Sequence, residues 1–238
     1  MKTPREIRRE ILELAMETGI NHIASSLSIV EILYVLFSIT GENDKIILSK
    51  GHGCLGYYIL LREKGYNPPL KAHPDIDIEN GIECTTGSLG HGLPIGVGMA
   101  IAKKLKEEEG TIYVIVGDGE CQEGTTWESA MIASHNKLDN LCIIVDRNGL
   151  QALCCTENAT SLGSLVGKFS AFGFNASVEN GHNIGQLEHA ICARSSEPKA
   201  IIAHTVKGKG ISFMENNAIF HARLPNSEEL KIAHKELA

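Results

Sequence analysis

The sequence predicts an α/β fold, an open and mostly parallel sheet with helices on both faces, and three observations predict it. The segments TIYVIVGDGE and LCIIVDRNGL each hold a short, nearly continuous apolar run, the pattern of a strand buried on both faces. One helical segment, GTTWESAMIASHNKL, lies between them, so the connection is a crossover, right-handed by rule, that sets the carboxyl ends of the two strands side by side. A length of 238 residues with 43% hydrophobic residues is enough for one well-filled core, and residues 1–238 are read as a single domain.

Taken in order, the start MKTPREIRREILELAMETG puts Ile7, Ile11, Leu14 and Ala15 on one face of a helix. Ser28 and Glu31 stand at capping-box spacing ahead of IVEILYVLFSI, which predicts a second, buried helix starting there. KIILS reads as a strand, GHGCLGYYILLREKG as a loop entering a helix, and NPPLKAHPDIDIENG as a Pro-rich connection of the kind that carries site residues. TTGSLGHG leads into a helix over LPIGVGMAIAKKLKEEEG, and the two core strands follow. Residues 151–163 show no clear period and are expected to form an exposed excursion before a helix over 165–172. A strand (NASVE), a helix (184–194) and a strand (AIIAHTV) extend the sheet.

Composition excludes several classes of function. With 22 Lys+Arg against 29 Asp+Glu, the formal charge is −7, and no long basic block is present, so neither nucleic acid nor a membrane surface is an expected partner. Seven scattered cysteines without C-x-x-C spacing give neither a zinc site nor a disulfide framework, and point to a reducing cytoplasm. The first residues lack the apolar core of a signal peptide, and no run approaches the about 20 apolar residues that span a bilayer.

Asp118 and Asn148 end the two core strands, 148 − 118 = 30 residues apart, where ligands of such sheets bind. A carboxylate, an amide oxygen and the main-chain carbonyl of Leu150 are hard donors suited to Mg2+, and one carboxylate alone leaves coordination places for a diphosphate. Gly117 and Gly119 let the backbone approach such a ligand closely. TTGSLGHG, ahead of a helix, has free N–H groups and a helix dipole to favour negative charge. Each signal has a plainer reading when taken alone: Gly-Asp-Gly as an ordinary strand-to-helix turn, TTGSLGHG as a C-cap and turn, a lysine as a solvated charge. Gly51, Gly53 and Gly56 also satisfy G-x-G-x-x-G, with Asp75 and Asp77 about 20 residues on, but a Pro-Pro connection replaces the second strand that a dinucleotide fold needs.

The stretch GDGECQEGTTWESAMIASHNKLDNLCIIVDRNGLQ resembles the thiamine diphosphate fingerprint of the transketolase family. NHIASSLSIVEIL, IILSKGHGCLGYY, KAHPD, TTGSLGHGLPIGVGMA, KFSAFGF and IIAHTVKGKGISFME follow in the family's order. The resemblance implies a thiamine diphosphate-binding fold, and a metal site of Asp118, Asn148 and Leu150 for Mg2+ or another divalent cation such as Ca2+. It implies cofactor contacts from Ser25, Lys50, His52, Gly87, Ser88, Leu89, Gly117, Gly119, Asn148, Lys207 and His221. Glu123 matches a carboxylate at the family's interface between protomers, near the cofactor. His22, His52, His73 and His221 match histidines that line the approach to the thiazolium ring, where a near-neutral imidazole can relay protons. The other histidines, among them His135, His182, His189, His204 and His234, lack that support and are expected to be structural or solvated.

The family's full enzymes carry a pyrimidine-binding domain and a C-terminal domain as well, so the resemblance implies the N-terminal subunit of a split transketolase. That subunit would be active only with a C-terminal partner chain, as a heterotetramer, moving a two-carbon ketol unit from a ketose or ketose phosphate to an aldose. Departures stand at Asn21-His22-Ile23-Ala24, at His91 where glutamine is usual, at Phe220-His221-Ala222-Arg223, and in LQALCC. They leave open a degenerate, noncatalytic partner of another protein, or a related ketol or acyl transferase of specialised sugar metabolism.

Overall fold

The computed structural model describes residues 1–152 and 154–238. Five strands form one sheet, β1 (Lys45–Leu48), β2 (Ile112–Gly117), β3 (Leu141–Arg147), β4 (Asn175–Asn180) and β5 (Lys199–His204), parallel throughout in the order β1-β2-β3-β5-β4. Ten α-helices accompany them among the described residues: α1 (Pro4–Thr18), α2 (Ile23–Leu27), α3 (Val30–Ile39), α4 (Cys54–Glu63), α5 (Gly92–Leu105), α6 (Gly124–His135), α7 (Thr156–Ala159), α8 (Leu165–Ala171), α9 (Ile184–Cys192) and α10 (Ser227–Glu236).

Alternate side chains of a strand point to opposite faces, which is why the central strands need continuous apolar runs. Tyr113 and Ile115 of β2, with Cys142 and Ile144 of β3, join a core built with α1, α3 and α4. Ile112, Val114, Val116, Leu141, Ile143 and Val145 join a second core under α5, α6 and α8. Each fully buried Ile, Leu or Val contributes about 1.5–3 kcal/mol, so the two cores clamp the sheet from both sides. The edge strand β4 is partly exposed, and its sequence is correspondingly polar.

Helix α1 starts where the sequence gives it every signal: Thr3 and Glu6 form a capping box, Pro4 opens the helix, and Gly19 closes it at φ 76°. The capping box expected of Ser28 and Glu31 does not form. Helix α3 begins at Val30, and its cap residue Ile29 makes no side-chain bond. Both polar side chains are buried and held by tertiary partners instead: Ser28 Oγ donates to Asp146 Oδ2 at 2.8 Å, and Glu31 Oε2 accepts from Arg8 Nη2 at 2.7 Å and pairs with His182 Nδ1 at 2.9 Å. Charged partners in a dry interior outweigh one local N–H. The short α2 and the capped α10, whose box is Asn226 with Glu229, are elements that the sequence reading did not assign. The excursion over 151–163 contains α7, and Leu153 within it lies outside the described residues.

Among the described residues no helix is long and apolar enough to cross a membrane. All seven cysteines are free, and Cys54, Cys84, Cys121 and Cys142 are buried.

The register sets the site. Gly117 pairs with Asp146, and the N–H of Asp118 donates to the Asp146 carbonyl at 3.2 Å, so the carboxyl ends of β2 and β3 finish level. The turn after β1 brings Lys50 to the same end, and the chain beyond β5 brings Lys207.

Candidate functional site

At that end of the sheet lies a cavity of about 220 Å3. Its wall includes His22, Ser25, Lys50, His52, His73, Gly87, Leu89, Gly117, Asp118, Gly119, Asn148, Leu150, Lys207 and His221. Fourteen sequence-expected residues, drawn from eight separate stretches of chain, thus meet in one place. Two expected residues do not line it. Ser88 is exposed, with its hydroxyl 3.2 Å from His91 Nδ1. Glu123 is exposed at the start of α6, packed beside Gly90.

Asp118 is 2% exposed, and both of its carboxylate oxygens are hydrogen-bonded. Its Oδ1 accepts from Gly119 N–H at 2.8 Å, and its Oδ2 accepts from Gly149 N–H at 2.6 Å and from Arg147 Nη1 at 3.1 Å. Burial, together with the nearby Asp146, nevertheless raises its pKa above the ordinary carboxylate value. Asn148 donates Nδ2 to Asp146 Oδ2 at 2.8 Å, which fixes the amide orientation, and its Oδ1 accepts from Leu150 N–H at 3.1 Å. The Leu150 carbonyl accepts from Lys207 Nζ at 3.2 Å.

Behind these groups sits an ionic knot that the sequence reading missed. Asp146 is fully buried and accepts from Lys50 Nζ, Thr205 Oγ1, Ser28 Oγ and Asn148 Nδ2. Burial pushes its pKa up, but the Lys50 charge and the bonds from Lys50, Thr205 and Ser28 outweigh burial and hold it below the ordinary value. Lys50 is 1% exposed, and its ammonium also donates to the Ser25 carbonyl at 3.0 Å. A carboxylate inside the run LCIIVD was the available signal, because a charge at the end of a doubly buried strand has to be paired. Glu120 was missed too. Its carboxylate accepts from Ser49 Oγ, from Gly90 N–H at 2.8 Å and from Gly117 N–H at 3.0 Å, so it ties the TTGSLGHG loop to the end of β2. Gln151 and Ala152 complete the rim.

Four imidazoles of the lining cluster together. The His22 ring centroid lies 5.5 Å from His52, 5.9 Å from His73 and 5.3 Å from His221. Burial, and then neighbouring cations, lower the pKa of three of them: His22 falls, His52 falls well below its usual value, and His221 is brought down to about 4. Lys207 Nζ donates to His221 Nδ1 at 2.9 Å, which leaves the neutral ring's proton on Nε2. Lys207 is itself lowered to about 8, by burial and by Lys50. His73 is held by the loop opposite: Gly87 has φ 130°, and a Cβ there would lie 2.9 Å from the His73 ring.

A diphosphate with a divalent cation fits this arrangement. The three expected donors are hard oxygens at one end of the cavity, and Lys207 supplies a buried positive charge beside them. His22 Nδ1 and Ser25 Oγ, of two residues that line the cavity, are buried without a hydrogen-bond partner among the described residues, so a ligand placed there would satisfy them. Among the described residues no three His, Cys, Asp or Glu side chains converge on a metal position, and the expected donor set holds a single carboxylate, that of Asp118. Gly51 and Gly56 of the dinucleotide-like pattern are closely packed, against Thr86 and against Ile11 and Leu33, and Asp75 pairs with Lys71 at the surface.

Residues 17–238 match the family described as transketolase, thiamine diphosphate binding domain. An apulose-4-phosphate transketolase subunit of Actinobacillus succinogenes is 38% identical over 261 residues, an alignment spanning 99% of this chain and 95% of that one. The 6-deoxy-6-sulfo-D-fructose transketolase subunit SqwG of a Clostridium species is 36% identical, covering 97% of this chain and 93% of the relative. The crystal structure of transketolase from Campylobacter jejuni superposes with a TM-score of 0.81 at 25% identity, over all of this chain but only 43% of that one.

Proposed function

From the premise that this chain belongs to the transketolase family, we propose that it is the N-terminal, diphosphate-binding subunit of a split transketolase. The observation that carries the reading is convergence: the end of β2, the end of β3 and the turn after β5 bring Asp118, Asn148, Leu150 and Lys207 to one cavity, which four histidines also line, His221 in direct contact with Lys207. The relatives covered nearly end to end are named as subunits, whereas the chain spans less than half of the single-chain transketolase, which supports a separate partner for the pyrimidine-binding and C-terminal domains. A heterotetramer in the cytoplasm is the assembly proposed.

In this reading Asp118, Asn148 and the Leu150 carbonyl hold Mg2+, and Lys207, Gly117, Gly119, Gly87 and Leu89 meet the diphosphate, with Ser88 outside the cavity lining. Bound thiamine diphosphate supplies the carbanion chemistry for ketol transfer. The chain's own residues do the rest. Lys50 and Glu120 are committed to internal partners and keep the strand end and the loop in place. His22 and Ser25 offer unpartnered polar atoms for hydroxyl groups. The four histidines hold and move protons at the oxygen atoms of the sugar; His22, His52 and His221, with lowered pKa values, do so as imidazoles left unprotonated near neutrality. Glu123, exposed beside the cavity, is proposed to contact the partner assembly. The sugars are proposed only as ketose donor and aldose acceptor; an unusual pentulose or a sulfonated ketose, as in the relatives' names, belongs to the same class.

The test is calorimetric titration of thiamine diphosphate with Mg2+, with and without the candidate C-terminal chain, comparing wild type with Asp118→Ala. Mg-dependent binding that is completed by the partner and lost in the variant is expected. An intact complex that binds no cofactor would leave the noncatalytic reading ahead.

A further inference from the structure

Arg147 stands directly between the expected metal ligand and the excursion that follows β3. One nitrogen, Nη1, donates to Asp118 Oδ2 at 3.1 Å, and the other, Nη2, donates to Glu157 Oε1. Glu157 in turn accepts, through its second oxygen, from Ser161 Oγ at 2.7 Å, Leu162 N–H at 3.1 Å and Gly163 N–H at 3.3 Å. A second tie crosses the same gap, since Gln122 Nε2 donates to the carbonyls of Thr156 at 2.9 Å and Thr160 at 2.7 Å. The residues from 156 to 163 are therefore stitched to Asp118 by one arginine fork and to the Gly119–Gln122 turn by one glutamine amide. Arg147 itself does not line the cavity, and its side chain is 14% exposed.

We propose that Arg147 is a positioning residue for divalent-cation binding, holding the Asp118 carboxylate in its pose and, through Glu157, making the 156–163 excursion part of the cation site. The inference rests on the Mg-diphosphate reading above. Side chains that orient a metal ligand from behind change cation affinity by about 10–100-fold when removed. A planar guanidinium suits the task because it can bond two carboxylates at once in a fixed geometry, which a lysine cannot.

Charge and position give opposite signs here, so the proposal is open to a clean test. Removing a positive charge beside Asp118 would by Coulomb's law alone strengthen binding of a divalent cation. Loss of positioning would weaken it. The experiment is Mn2+ binding, followed by electron paramagnetic resonance with inorganic pyrophosphate present, on the full chain as wild type, Arg147→Gln, Arg147→Lys and Glu157→Gln. Amide hydrogen exchange over 156–163 is measured on the same samples, and thermal melts normalise for folding. For Arg147→Gln, Mn2+ affinity is expected to fall by about tenfold or more, with faster exchange over 156–163 while the rest of the chain keeps its protection. Arg147→Lys is expected to restore neither property, and Glu157→Gln to loosen the excursion and weaken Mn2+ binding less. Unchanged or tighter Mn2+ binding by a folded Arg147→Gln protein overturns the proposal. If wild type binds no Mn2+ in the presence of pyrophosphate, either alone or with the candidate C-terminal chain, the cation-site reading itself has failed.

Discussion

Replacing Lys50 by methionine asks whether the ionic knot behind the cavity holds the ends of the strands in place. Lys50 is 1% exposed and Asp146 is fully buried, so the substitution leaves a carboxylate in the interior without its counter-charge. Removing one partner of a buried pair costs about 3–5 kcal/mol. The hydroxyls of Ser28 and Thr205 and the Asn148 amide still donate to Asp146, which keeps the loss near the lower end, about 3 kcal/mol. At about 2–4 °C per kcal/mol for a chain of this size, the melting temperature should fall by about 6–12 °C near neutral pH. The pH dependence has a definite sign. Asp146 has a depressed pKa in the folded wild type, so its contribution is present above the ordinary carboxylate value and is lost as pH falls through the depressed one. In the variant the chief lowering influence is gone, burial dominates, and the folded protein gains by protonating Asp146. The deficit relative to wild type should therefore be largest near neutrality and shrink toward about pH 4. Calorimetric melts across that range decide the matter. A Lys50→Met protein that melts within about 2 °C of wild type, or a deficit that grows in acid, would refute the claim that this pair holds the site.

Two further outcomes follow from the cavity walls. Gly87→Ala places a side chain where φ is 130° and the His73 ring is 2.9 Å away, so a destabilisation of about 1–3 kcal/mol is expected, read by denaturant unfolding, with reduced thiamine diphosphate binding because His73 must shift. Lys207, lowered to about 8, should make diphosphate affinity fall as pH rises through that value, because the anion binds the protonated amine; calorimetry across that range should show the slope in wild type and lose it in Lys207→Met.

How much of this was legible in the sequence depends on what kind of force fixes each residue. The strands β2 and β3 could be read because burial on both faces demands an unbroken apolar run, and α1 because its cap, its first-turn proline and its closing glycine all agree. The candidate donors could be read because chain direction alone puts them at strand ends. Ser28 and Glu31 misled because a local pattern fits two uses, and only the three-dimensional neighbours, Asp146 for one and Arg8 with His182 for the other, select between them. His182, expected to be structural or solvated, is structural: its Nδ1 meets Glu31, and its Nε2 accepts from Val206 N–H at 2.8 Å, next to Lys207.

Under the proposed function, Lys207 is the residue through which a chain of net charge −7 would meet an anion. Of three cations at this end of the sheet, Lys50 is neutralised by Asp146, and Arg147 is shared between Asp118 and Glu157. Lys207 bonds only to a carbonyl and an imidazole among the described residues, so its charge has no carboxylate partner. Burial makes that charge costly, which is why its pKa drops, and a bound diphosphate would repay the cost by supplying the missing counter-charge. In the proposed reading the two neutralised cations fix the shape of the site, and the remaining one attracts the ligand. A surface lysine could do the second job only weakly, since solvent would screen it.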